Sequence, residues 1–192
     1  MATLFFISHP EVVVDPLVPV ERWHLAPAGI ERMRRFAGQP ALSGLRQVWA
    51  STETKAIEAA DILAGRWGLG VEVLAELGEN DRSATGFLPP AEFETVADAF
   101  FAEPQTSVRG WERAVDAQTR ITDAVRGIVR QHEGGGDLAI VAHGAVGTLL
   151  FCALAGRAIS RVEDQPFQGH VWSATLPDLT IRHGWEPIAP RA

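Results

Sequence analysis

The sequence has a single cysteine, no excess of positive charge and no long hydrophobic run, and each shortage excludes something. Cys152 has no second cysteine to pair with, so an intrachain disulfide is impossible. It lies inside an apolar run and is expected to be a buried, inert thiol, which suits a reducing cytoplasm. Acidic residues number 24 against 17 basic ones, a net charge of -7. That balance gives no general attraction for nucleic acid or an anionic membrane, so any anionic ligand must be gripped locally. The longest later apolar run, around Val146 to Leu154, is far short of the ~20 residues that cross a bilayer as a helix. The N-terminal MATLFFISHP carries a short apolar stretch with no basic segment before it, which argues against a signal peptide. A soluble, cytoplasmic protein with neither nucleic-acid nor membrane partners is expected. No linker or internal repeat interrupts the chain, and Gly134 to Gly136 lacks the Gly-Lys-Ser context of a P-loop.

What is present reads as one α/β domain over residues 1–192. A chain of 192 residues that is 46% hydrophobic can bury a full core without staples. Leu4-Phe5-Phe6-Ile7 is a continuous apolar run stopped at Ser8-His9-Pro10, as a strand buried on both faces would be. Residues Pro27 to Phe36 suit a helix. Val48-Trp49-Ala50 suits a second strand, with Ser51-Thr52 as the expected N-cap of a helix running to Trp67 on the spacing of Ala56, Ala60, Leu63 and Trp67. Val71 to Leu74 suggests a third strand, and Glu79 to Pro90 an irregular loop. Helices are expected over Ala91–Ala102 and from Gly110 to Gln131, the latter stopped by Gly134-Gly135-Gly136. Leu138 to Val141 is then a buried strand, His143-Gly144 a tight turn and Val146 to Leu154 a helix. Val171 to Leu176 and Leu179 to Ile181 are candidate closing strands. Strands alternating with helices imply a three-layer, doubly wound, mostly parallel sheet whose ligands bind beyond the strands' C-terminal edge. His9 and His143 both fall at such an edge.

LFFISHPE, then SxxxKA (Ser51, Lys55, Ala56), then LGE (Leu77 to Glu79), then IVAHG (Ile140 to Gly144) resembles the histidine phosphatase superfamily, the phosphoglycerate-mutase-like group, in order and spacing. The resemblance runs from about residue 3 to 156. It implies His9 as the nucleophile toward phosphorus, His143 with Gly144 beside the transferred phosphoryl group, and Lys55 in the place of a phosphate-gripping arginine. It implies Glu79 as proton donor to the leaving group, with Glu76 as the runner-up. The chemistry is sound on its own terms: a neutral imidazole attacks phosphorus and leaves again readily, and phosphoryl transfer then mainly needs positioning and donors around the equatorial oxygens. It needs no metal or other cofactor.

Two departures from the family pattern weaken the pocket. Ser8-His9-Pro10 replaces Arg-His-Gly, and lysine replaces arginine at 55, so a planar fork gives way to a hydroxyl and a point charge. Arg82, three residues past Glu79, is the expected compensating cation, ahead of Arg22, Arg109 and Arg113. Ile181-Arg182-His183-Gly184 repeats the family tripeptide near the C-terminus with no helix after it, and reads as coincidence. Trp23 and Trp111 read as packing residues, and His24 and His132 as surface or loop residues, with His170 late enough to line the cleft. The expectation is a metal-independent phosphohydrolase acting on a small phosphomonoester through a phosphohistidine. The competing expectation is a degenerate member that binds a phosphorylated or other anionic ligand as a sensor or interaction module.

Overall fold

The computed structural model describes residues 2–132 and 135–191. Six strands form one sheet: β1 (Thr3–Ser8), β2 (Leu45–Ala50), β3 (Val71–Val73), β4 (Asp137–Ala142), β5 (His170–Thr175) and β6 (Ile181–Pro187). Their order across the sheet is β3-β2-β4-β1-β5-β6. The first four run parallel, while β5 pairs antiparallel with β1 and β6 antiparallel with β5. Among the described residues five α-helices flank the sheet: α1 (Pro27–Ala37), α2 (Thr54–Trp67), α3 (Pro90–Ala102), α4 (Ala114–Gln131) and α5 (Gly144–Leu154). Among the described residues no helix is long and apolar enough to cross a membrane.

The period of two along β1 splits the interior into two cores. Leu4 and Phe6 join Ile140, Leu149, Trp172 and the inner faces of α4 and α5. Ile7 joins Met33 and Phe36 of α1 and Ala60 and Leu63 of α2 on the other face. Because helices cover both faces, the central strands read in the sequence as unbroken apolar runs. Three parallel strands side by side, β2, β4 and β1, therefore end at one edge. Beyond that edge lie Ser51, His143 and His9.

Three local expectations differ from the structure. Helix α2 starts at Thr54 with Glu53 as its N-cap, and no side chain caps it; Ser51, the expected cap, turns its hydroxyl to His143 instead. Helix α4 starts at Ala114, because Arg109 and Gly110 take left-handed backbone angles (φ 51° and 83°) and Trp111 is extended. Leu179 also lies in the left-handed region, in a turn, so the last strand begins only at Ile181. The expected glycine stop of α4 falls partly outside the described residues, at Gly134, and the helix ends at Gln131. Arg182-His183-Gly184 sits on the edge strand β6, away from the parallel edge.

Candidate active site

Each piece of the site is delivered by the end of a strand. The backbone N–H of His9 donates to Ala142 O at 3.0 Å, which ties the residue after β1 to the end of β4. Pro10 follows, and its carbonyl accepts from His9 Nδ1 at 2.9 Å. With the ring proton committed there, His9 Nε2 keeps its lone pair. Burial, reinforced by the Lys55 charge, lowers the His9 pKa to about 4, so the ring is neutral at pH 7. His143, the N-cap of α5, lies edge-on to it, with ring centroids 5.3 Å apart.

The His143 ring is 1% exposed. Its Nε2 meets Ser51 Oγ at 2.7 Å and Glu53 Oε1 at 3.1 Å, while its Nδ1 is buried with no partner among the described residues. Burial holds its pKa well below the usual imidazole value against the opposing pull of Glu53. Glu53 is the centre of a small buried network. It also ion-pairs with the Lys55 ammonium through Oε2 and accepts from the Glu79 backbone N–H at 3.0 Å through Oε1. Burial pushes its carboxyl up, yet the His143 and Lys55 charges and these hydrogen bonds more than offset that, holding its pKa down at about 2.

Glu79 overlooks the same cleft. Its two carboxyl oxygens accept from Ala145 N at 3.2 Å and Val146 N at 3.0 Å, the open first turn of α5. Burial raises its pKa despite Arg82 and those N–H groups, and the Glu53 charge adds to the rise. Its loop is clamped from α4: the Arg120 guanidinium donates to Glu76 O, Gly78 O and Glu79 O at 2.7, 3.0 and 3.2 Å and pairs with Glu112. Glu76 is exposed and contributes only that carbonyl.

A cleft of about 750 Å³ opens over His9, Lys55, Glu79, Arg82 and Gly144. Arg82 lies over the rings of Phe93 and Trp111, at 5.2 and 5.7 Å from their centroids, and has no carboxylate partner among the described residues. Arg109 and Arg113 are spent on Glu92 and Asp116 at the surface. Trp23 and Trp111 are buried as packing residues but also line the cleft, with Phe87 against Trp23 at 5.8 Å.

Ser8 does not reach the cleft. Its hydroxyl is fully buried, donates to Gln165 Oε1 and accepts from the His170 N–H at 3.0 Å. Gln165 in turn closes over Gly144, where a Cβ would meet its Nε2 at 2.3 Å. Lys55, the chain's one lysine, lines the cleft from the first turn of α2, but its ammonium is already held by Glu53 and by Val20 O at 2.7 Å. His170 is buried rather than cleft-lining, and His24 and His132 bond to Glu58 and Gln47 away from the site. Three site residues escaped sequence reasoning: Glu53, Gln165 and Asn80. The Asn80 amide is 4% exposed, lines the cleft beside Glu79 and leaves Nδ2 without a partner among the described residues. Only Asn80, adjacent to Glu79, carried a positional signal.

The sequence pattern of the histidine phosphatase superfamily (branch 1) matches residues 20–177. The chain belongs to the histidine phosphatase superfamily. The matched stretch includes Ser51, Lys55, Glu79 and His143, and begins after His9. No curated protein matches the chain by sequence. Among solved structures, the superfamily fold is shared with Bacillus stearothermophilus YhfR at 23% identity and TM-score 0.80, over 97% of this chain and 96% of that one. A mycobacterial glucosyl-3-phosphoglycerate phosphatase superposes at TM-score 0.79 and 18% identity over the whole of both chains. A phosphoserine phosphatase from Entamoeba histolytica does so at TM-score 0.76 and 14% identity, over 97% of this chain and 98% of that one. At these identities the likeness is one of fold.

Proposed function

We propose that this superfamily member is a phosphohydrolase that cleaves a small phosphomonoester through a phosphohistidine at His9. The observation that carries the reading is the His9 ring itself, neutral, pinned through Nδ1 to Pro10 O at 2.9 Å and set edge-on to His143. The Nε2 lone pair attacks phosphorus as the P–O bond to the leaving group breaks, and the Glu79 carboxyl gives its proton to the departing oxygen. Water then attacks the phosphohistidine, returning a proton to Glu79 while the N–P bond breaks. Arg82 and the Asn80 amide, which line the cleft with His9 and have no carboxylate or hydrogen-bond partner respectively among the described residues, are the donors assigned to the transferred group.

Two observations favour the second reading, an anion-binding module without turnover. The Lys55 charge is spent on Glu53, and the Ser8 hydroxyl on Gln165. Incubation with 4-nitrophenyl phosphate in chelator-treated buffer separates the two. The phosphohydrolase reading expects slow release of nitrophenol and an acid-labile phosphoryl label on the wild type, both absent in His9→Ala. Folded wild type that binds phosphate but shows neither label nor turnover is the binding module.

A further inference from the structure

The cleft over His9 has a volume of about 750 Å³, in the range that encloses a ligand of drug size, so a phosphoryl group and a two- or three-carbon chain would leave much of it to water. The walls beyond His9 are largely apolar. Val12, Val14 and Trp23 come from the segment after β1, Phe87 and Leu88 from the loop after β3, and Phe93 from α3. Phe87 rests against Trp23 with ring centroids 5.8 Å apart, and Phe93 against Trp111 at 6.0 Å. Phe87, Leu88 and Phe93 are only half-buried and Val14 is 55% exposed, so the cleft keeps apolar surface that folding has not covered.

Fixed charge points the same way. Among the described residues the cations that line the cleft are Lys55, Arg82, Arg161 and Arg191. Lys55 is paired with Glu53, Arg161 with Glu94 and Asp98, and Arg191 with Glu11 at 3.3 Å. Arg82 is left for the phosphoryl group. A carboxylate or second phosphate on the leaving group would find no cation to pair with, and Glu11, Glu94 and Asp164 line the same cleft. Hydroxyls laid against the rings would lose water without a hydrogen bond in return, whereas apolar surface gains by leaving water.

We propose that the substrate is the phosphomonoester of an uncharged, apolar alcohol of aryl bulk, rather than a phosphorylated acid or sugar, and that Phe87 is a specificity-determining residue for it. The proposal rests on the phosphohydrolase reading above and names the leaving group that reading lacks. The phosphoryl end sits at His9 and Arg82, and the apolar remainder lies along Trp23, Phe87 and Phe93. Arg82 marks the border between the two ends, because its guanidinium lies 5.2 Å from the Phe93 centroid and 5.7 Å from that of Trp111. Phe87 is singled out because it is half-buried and joins the wall of the loop to that of Trp23.

The test compares esters of alcohols with similar leaving ability: 2-naphthylmethyl phosphate, glycerol 1-phosphate and 3-phosphoglycerate, each with the full chain in chelator-treated buffer. The kcat/KM for the naphthylmethyl ester is expected to exceed that for either of the others by about a hundredfold or more. Phe87→Ala is expected to cut the ratio of the naphthylmethyl to the glycerol ester by about tenfold. A merely structural role for Phe87 would lower both rates alike, and an unchanged ratio in the folded variant overturns its assignment. Turnover of all three esters at similar rates, or a preference for 3-phosphoglycerate, overturns the proposal and leaves the phosphohydrolase reading in place. Calorimetric titration with 2-naphthylmethylphosphonate, which cannot be hydrolysed, separates the opposite failure. Binding about tenfold or more tighter than methylphosphonate, displaced by inorganic phosphate but without turnover of any ester, supports the apolar ligand class and removes the phosphohydrolase. No preference over methylphosphonate together with no turnover removes both.

Discussion

Acid sensitivity should be traceable to His9. Its pKa of about 4 in the folded protein, against 6.5 for a free imidazole, means that between those values the unfolded chain binds a proton that the folded chain refuses. Stability therefore rises with pH through the window and is lost as pH falls through it. At pH 4.5 the loss attributable to this one ring is about 2.5 kcal/mol, a large share of the 5–15 kcal/mol that typically holds a domain of this kind. Burial depresses His143 in the same direction, so His9 does not account for the whole loss. Glu53 enters later: with its folded pKa near 2 and a free value of 4.5, its contribution is complete above pH 4.5 and lost only below. His9→Gln keeps a polar side chain of similar size and removes the titration. Urea unfolding followed by tryptophan fluorescence at pH 7.5 and 4.5 should show that the drop between the two is smaller in the variant by about 2.5 kcal/mol. Parallel drops in variant and wild type would refute the reasoning, because the ring would then titrate alike in both states.

Gly29→Ala should cost about 2–3 kcal/mol in the same unfolding assay, since its Cβ would stand 2.3 Å from Glu11 O, a backbone atom that cannot swing aside; a wild-type midpoint would contradict that contact. Arg120→Met should lower kcat for 4-nitrophenyl phosphate about tenfold with the fold intact, because the clamp on three consecutive-loop carbonyls holds Glu79 in reach of the leaving group. An effect on KM alone would mean that the clamp serves binding rather than proton transfer.

What the sequence made legible were the features written in neighbouring residues. An apolar run ended by Ser-His-Pro and another ended by His-Gly each place a histidine just past a buried strand, and side-by-side parallel strands bring such ends to one edge. Glu79 was legible for a similar reason, as an acid on the loop after a third parallel strand. The electrostatics were not, because they arise from pairs that the fold brings together. Ser8 looked like a degraded phosphate ligand, yet its hydroxyl is taken by Gln165, 157 residues away. Ser51 looked like a helix cap, yet it serves His143 across 92 residues. Glu53 is the clearest case. An acid just ahead of a helix is favourable wherever it occurs, so nothing local distinguishes a solvated N-terminal carboxylate from one buried against a lysine and an imidazole. The difference lies in the sheet order, which sets β4 between β1 and β2 and so puts His143 beside both His9 and the start of α2. Once that neighbour is in place, the carboxylate stands 3.1 Å from His143 Nε2 and beside the Lys55 ammonium, and the charge distribution of the pocket follows from topology rather than from any motif.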